Sequence, residues 1–139
     1  MTSNLIFYDT ETTGIHKDFS QIIQCGSLLT DINLNYVDEQ NIGSAPLPWI
    51  IPQPRAMLTN KKINSFKSNT SHYQMMKDIQ QKWKEWCADN PAIFVTYNGH
   101  AFDEELIRRQ FWCNCRNDGR SSEQHGGAFG LSVRRYKPI

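Results

Sequence analysis

The chain has 139 residues, 39% of them apolar and 21% charged, with a formal net charge of +1. That is one small domain with enough apolar material for a core, and such a composition excludes a disordered protein. No run of about 18 apolar residues occurs, which excludes a membrane-spanning helix. The apolar run over residues 5–8 stops at Asp9 and is too short for a secretory signal. Near-zero charge excludes a strongly basic nucleic-acid binder and leaves room for a local basic patch.

The four cysteines are Cys25, Cys87, Cys113 and Cys115. Without a secretory signal they read as reduced thiols of a cytoplasmic protein. Cys113-Asn-Cys115 with His125 fits no zinc-ligand spacing. Residues 1–115 hold 10 Lys and Arg against 12 Asp and Glu, whereas residues 116–139 hold 5 against 2 and half of the eight glycines. The chain therefore divides into a folded part, 1–115, and a basic, Gly-rich tail, 116–139, read as disordered.

Residues 4–9 (NLIFYD) read as a short buried strand ending in a carboxylate. Residues 10–19 are polar, contain Gly14 and read as loop. Residues 21–31 and 34–43 read as second and third strands, joined by a turn at Asp31-Ile-Asn33. The short links predict a three-stranded antiparallel meander. Pro46, Pro48, Pro52 and Pro54 then exclude regular structure, and residues 56–66 hold one or two helical turns.

Ser71 reads as an N-cap. Behind it Tyr73, Met76, Ile79, Trp83 and Trp86 recur at spacings of three and four, an amphipathic helix whose stripe is core. Asn90-Pro91 ends that helix. Residues 92–97 (AIFVTY) predict an apolar strand at the centre of a sheet. Residues 98–100 are a turn, and 102–113 read as a last helix. The helical crossover predicts a fourth strand parallel to one in the meander, giving an α/β fold with a mixed sheet.

Asp9 and Glu11 flank Thr10 where the first strand runs out. In extended chain, residues two apart point the same way, so two acids share one face. Like charges so placed are costly without a cation, and a hard divalent ion is the natural partner. Taken alone, a D-x-E is equally a pair of solvated loop residues. Asp103 stands in the first turn of the last helix, where helix capping is the competing explanation. If the first and fourth strands are parallel neighbours, Asp9, Glu11 and Asp103 meet at the C-terminal edge of the sheet, where open α/β sheets place their sites.

The run Phe7-Tyr-Asp9-Thr-Glu11-Thr-Thr-Gly14, with Asn98-x-x-x-Phe102-Asp103 downstream, resembles the DEDD 3′→5′ exonucleases, which have an RNase H-like fold. Pro52-Gln-Pro54-x-Ala56-x-Leu58, and Tyr97-Asn98 with Phe102-Asp103-x-Glu105, are most similar to the exonuclease I branch, which degrades single-stranded DNA from its 3′ end and serves DNA repair. The resemblance covers residues 5–113. It implies two-metal-ion hydrolysis with Mg²⁺ or Mn²⁺, releasing nucleoside 5′-monophosphates; two such ions lie about 3.5–4 Å apart. By resemblance Asp9 and Glu11 hold the first metal and Asp103 the second. Residues Thr10, Glu11, Thr12, Thr13 and Gly14 meet the terminal nucleotide, together with Asn98 and Phe102. Arg108 matches a position that contacts the strand; a solvated helix face explains Arg108 and Arg109 equally well.

The family's fourth acid follows a general-base His by five positions on a later helix. Here His125 is followed by Gly-Gly-Ala-Phe-Gly, so that segment is missing. The chain therefore reads as a truncated, N-terminal part of an exonuclease domain, requiring a complementing chain that carries the missing His and Asp. The alternative is a non-catalytic module that binds single-stranded nucleic acid or protein, which the basic tail favours. A further one is another DEDD branch, a proofreading or RNA-trimming enzyme.

Overall fold

A computed structural model describes residues 3–16, 18–59, 69–96 and 103–117, with side chains for all of these except Thr59 and residues 111–117. Three strands come first: β1 (Asn4–Thr12), β2 (Ile22–Thr30) and β3 (Tyr36–Gly43). Two helices follow, α1 (Pro54–Thr59) and α2 (His72–Trp86), then β4 (Ala92–Val95) and α3 (Asp103–Asn117). The four strands form one sheet in the order β3-β2-β1-β4. β1 is antiparallel to β2, β2 is antiparallel to β3, and β1 is parallel to β4. This is the expected meander plus a parallel strand. No helix among the described residues is long and apolar enough to cross a membrane.

Strand alternation decides what faces what. Ile6 and Tyr8 of β1, Cys25 and Leu29 of β2 and Phe94 of β4 are buried against Met75, Met76, Ile79, Trp83 and Trp86 of α2 and Leu106 and Ile107 of α3. At the centre the Trp83 ring lies 5.3 Å from Tyr8 and 5.0 Å from Phe94, tilted on both. Each indole N–H finds an oxygen: Trp83 Nε1 donates to Ser27 Oγ (3.0 Å) and Trp86 Nε1 to Asp38 Oδ2 (2.9 Å). A buried Trp is stable in such a core only when its N–H is satisfied.

Ser71 caps α2 as expected, its hydroxyl accepting from Gln74 N. The buried stripe runs through His72 and Met75 as well, while Tyr73 is half-buried. β1 is longer than predicted. Residues 10–12 read as loop because they are polar, yet Thr10 pairs with Cys25 and Glu11 with Gln24, and the ladder ends only after a register shift between Glu11 and Thr12. Polar side chains do not end a strand whose backbone partners continue.

β3 starts at Tyr36, not at residue 34, because Leu34 lies in the left-handed region (φ 66°). The Asp31 carboxylate holds that turn, accepting from Asn33 N, Asn35 N and Asn35 Nδ2. α1 begins at Pro54, whose fixed φ suits a first helical position. β4 is an edge strand among the described residues, not a central one; only Phe94 of its four residues is buried. α3 extends to Asn117, past the predicted end at 113 and across the boundary at Arg116. Residues 60–68, the predicted turn at 98–100 and residues 118–139 with His125 lie outside the described residues, as do the side chains of Cys113 and Cys115.

Leu34 is exposed and pays the left-handed penalty without packing in return. Replacing it by glycine should raise stability by about 0.5–1 kcal/mol, the steric relief of about 1–2 kcal/mol less the extra chain entropy of glycine. The urea midpoint measures this, and an unchanged or lower midpoint contradicts it.

Candidate active site

The odd-numbered residues of β1 point away from α2. Asp9 is exposed and Glu11 half-buried on that face. Asp9 borders a groove of about 790 Å³ with Phe7, Gly26, Leu28, Asn41 and Val95. Thr10, between the two acids, points to the helical side. There its hydroxyl donates to Oδ1 of Asp103, the first residue of α3. The structure thus brings Asp103 to the segment that carries Asp9 and Glu11. Among the described residues, no three His, Cys, Asp or Glu side chains gather closely enough to hold a metal ion.

The local field is negative. Burial raises the Asp103 carboxyl above its ordinary value, the Thr10 hydroxyl opposes this, and the charge of Asp9 adds to it. Burial also pushes the Cys25 thiol up to about 12, opposed by the Ser27 hydroxyl and reinforced by Asp103 and Asp9. Asp9 of β1 and Asp103 of α3 therefore act on each other and on a shared neighbour. Carboxylate oxygens are the donor type a hard divalent cation takes.

The other predicted site residues divide. Thr12, Thr13 and Gly14 are buried. Thr12 Oγ1 donates to Gly14 O (2.7 Å), and Thr13 Oγ1 accepts from Gln21 N (2.9 Å). Their hydroxyls close the loop after β1. Arg108 is half-exposed and paired with Glu104 one turn before it (2.9 Å). Asn98 and Phe102 lie outside the described residues.

Three residues that shape the site escaped the sequence reading. Gln53 donates its N–H to Thr13 O (2.7 Å), and its Oε1 accepts from Ile15 N (3.2 Å). A Cβ on Gly14 would stand 2.8 Å from Gln53 Cδ, so any larger residue there would displace the Gln53 side chain. Gln110 of α3 fastens the far side of the loop. Its Oε1 accepts from Ile22 N (3.1 Å) and from His72 Nε2 (2.6 Å), and its Nε2 donates to Ser20 O (3.4 Å). Arg109 adds an ion pair to Asp18. The Pro52-Gln-Pro54 flanks were a signal for Gln53; nothing local marks Gln110 or His72.

Two outcomes follow. Burial holds the His72 imidazole below its ordinary value, partly opposed by Gln110. The unfolded chain then binds the proton more readily, so the contribution of His72 is present above about 6.5 and lost as pH falls. Thermal melts should show a stability loss on acidification that a His72→Gln variant lacks; an equal slope in both would refute it. Asp103 has the opposite sign: its raised carboxyl makes the ionised form destabilising as pH rises above the ordinary carboxylate value. With chelator present, Asp103→Asn should melt above the wild type at neutral pH, with the gap closing in acid.

Comparison with known proteins agrees with the fold. No family model matches the chain. Exodeoxyribonuclease I of Buchnera aphidicola subsp. Acyrthosiphon pisum is 32% identical over 116 residues, which is 81% of this chain and 27% of that protein. The enzyme of the same name from Buchnera aphidicola subsp. Schizaphis graminum is 30% identical over 114 residues, 80% of this chain and 23% of the relative. The chain thus spans about a quarter of the length of these curated relatives. The crystal structure of Escherichia coli exonuclease I in complex with a dT13 oligonucleotide superposes with a TM-score of 0.71 at 23% identity, covering 81% of this chain and 24% of that one. The chain is similar to exodeoxyribonuclease I, and its mixed sheet with helices is that RNase H-like fold in part.

Proposed function

We propose that this chain is part of a 3′→5′ exonuclease that acts on single-stranded DNA in the cytoplasm and releases nucleoside 5′-monophosphates with Mg²⁺ or Mn²⁺, two ions per site. The observation that carries this reading is the Thr10–Asp103 hydrogen bond, which joins the first turn of α3 to the strand segment bearing Asp9 and Glu11. The relatives named exodeoxyribonuclease I and the oligonucleotide complex of the Escherichia coli protein support the substrate class.

In this reading Asp9, Glu11 and Asp103 hold the cations. A bound divalent pair supplies charge stabilisation on the phosphate and activation of water. The chain's own groups do the rest. The groove beside Asp9 receives the terminal nucleotide, and the loop from Thr12 to Gly14, held by Gln53 and Gln21, continues the chain beyond the acids. By resemblance Asn98 and Phe102 also meet the terminal nucleotide. Arg108 leaves Glu104 to meet a phosphate, a contact that is sequence-neutral and weakened by salt. No Asp follows a His by five positions anywhere in the sequence. In this reading the fourth acid and the general base come from outside these 139 residues, and without them hydrolysis is slower by roughly 10²–10⁴-fold.

A second reading has an observation of its own. No three potential ligands gather among the described residues, which favours a non-catalytic module that holds single-stranded nucleic acid or a protein.

The test is nucleotide release from 3′-labelled single-stranded DNA, with Mg²⁺, with Mn²⁺ and with chelator. The chain is assayed alone and with a polypeptide supplying the missing His and Asp, beside an Asp9→Ala variant. Slow, cation-dependent release that rises roughly 10²–10⁴-fold on complementation and vanishes in Asp9→Ala is the expected result. DNA retention without release, unaffected by chelator, would replace the nuclease reading with the binding module.

A further inference from the structure

Among the described residues two groups of large apolar side chains stay exposed, and their charge separates them. Ile32, Leu34, Tyr36 and Val37 stand at the β2–β3 turn. Residues 31–41 hold Asp31, Asp38 and Glu39 and no Lys or Arg, so this surface repels a polyanion. The second group is Ile15, Phe19, Trp49 and Ile51, each between 73% and 89% exposed. Its two segments, 13–21 and 45–55, carry Lys17 and Arg55 against one acid, Asp18, which pairs with Arg109 of α3. A single exposed apolar residue is ordinary. Four on two joined segments mark an interaction surface.

The two segments are stitched to each other at both ends. Gln21 Oε1 accepts from Leu47 N (2.7 Å), and Gln21 Nε2 donates to Ala45 O (3.1 Å). Gln53 N donates to Thr13 O (2.7 Å), and Ile15 N donates to Gln53 Oε1 (3.2 Å). Each aromatic also stands on a closed backbone turn. Ile50 N donates to Leu47 O (3.0 Å), with Pro48 and Trp49 at the centre of that turn. Phe19 N and Ser20 N both donate to His16 O. The rings are thus carried by backbone that is ordered before any ligand arrives, which lowers the entropic cost of binding. Ile15 follows Gly14 directly, so the surface continues from the loop that the resemblance gives to the terminal nucleotide.

We propose that Trp49 and Phe19 are stacking platforms for the bases of a single strand whose 3′ end lies at the loop from Thr12 to Gly14. Arg55, exposed on the same segment, meets a phosphate. This rests on the single-strand reading above and adds to it the residues that hold the nucleotides before the terminal one. An exposed ring buries its face against any base, because every base has one, so the contact is blind to sequence. The platforms set how firmly a strand is held and not which strand.

The full chain is tested by fluorescence anisotropy with a labelled oligothymidylate of about ten nucleotides, within the site sizes of single-strand grooves. A second strand of equal length keeps the sugar-phosphate chain and lacks every base. Chelator is present throughout, so binding is read apart from hydrolysis, and circular dichroism checks each variant for folding. Trp49→Ala should weaken oligothymidylate binding about 5–150-fold, and Trp49→Phe should restore most of it. Phe19→Ala should act in the same direction and carries the test if Trp49→Ala does not fold. On the abasic strand the wild type and Trp49→Ala should bind alike. Leu34→Gly, in the acidic surface, should bind both strands as the wild type does. Equal affinity of the wild type and Trp49→Ala for oligothymidylate overturns the proposal. An equal loss on the abasic strand also overturns it, since Trp49 would then act without touching a base. A wild type that binds no single strand overturns it as well; cation-dependent nucleotide release by the same protein would still uphold the exonuclease reading. Binding through Trp49 without such release would uphold the platforms and remove hydrolysis.

Discussion

β1 is hydrogen-bonded on both sides, to β2 in the antiparallel sense and to β4 in the parallel sense, and its two-residue period governs the rest of the molecule. Ile6 and Tyr8 must face α2 because Trp83 and Phe94 pack on them. That choice places Asp9 and Glu11 on the opposite face and turns Thr10 toward α3. A slip of one residue would bury Asp9 beside Trp83 and expose Ile6 and Tyr8, so core packing enforces where the acids stand. Burying two aliphatic or aromatic side chains contributes about 1.5–3 kcal/mol each, and an unpaired buried carboxylate adds a further cost. The hydrophobic core and the candidate site are therefore two faces of one decision.

The helices are tied to the sheet by polar contacts. Trp83 and Trp86 fix α2 over β2 and β3 through Ser27 and Asp38. Asp38 is held down to about 2 by Lys82 and the Trp86 N–H, with help from its neighbouring backbone. α3 is tied at two points on one side: Asp103 to Thr10, and Gln110 to Ser20, Ile22 and His72. These points bracket two turns of helix, so the loop from Thr13 to Gln21 is spanned by α3 at one end and by Gln53 at the other.

The meander, the long helix and the crossover were legible because each depends on periodicity, which is local. Ile6-Phe7-Tyr8 alternates into a core, and Met76, Ile79, Trp83 and Trp86 repeat at the helical period. The continuation of β1 through Thr10 and Glu11 was not legible, since only β2 supplies the partners that make those polar residues strand. The edge position of β4 was hidden for a related reason. Ala92, Ile93, Phe94 and Val95 read as central, but apolar composition does not give the number of neighbouring strands, and only Phe94 is buried. Asp9, Glu11 and Asp103 stood out as acids at element ends; of their expected meeting the structure shows Asp103 bonded to Thr10, the residue between the other two. The Thr10–Asp103 bond, the Gln53 bracket and the Gln110–His72 contact join residues far apart in sequence and carry no local signature.

The electrostatics of the site bear on stability as well as on chemistry. Burial raises the Asp103 carboxyl and the charge of Asp9 adds to this, so ionising Asp103 costs the folded chain more than the unfolded one. The Thr10 hydroxyl relieves part of this without adding positive charge. Core packing around Tyr8 and Trp83 supplies the free energy that offsets this cost, and a neutral donor at position 10 leaves the charge of an ionised Asp103 in place, whereas a basic residue there would neutralise it.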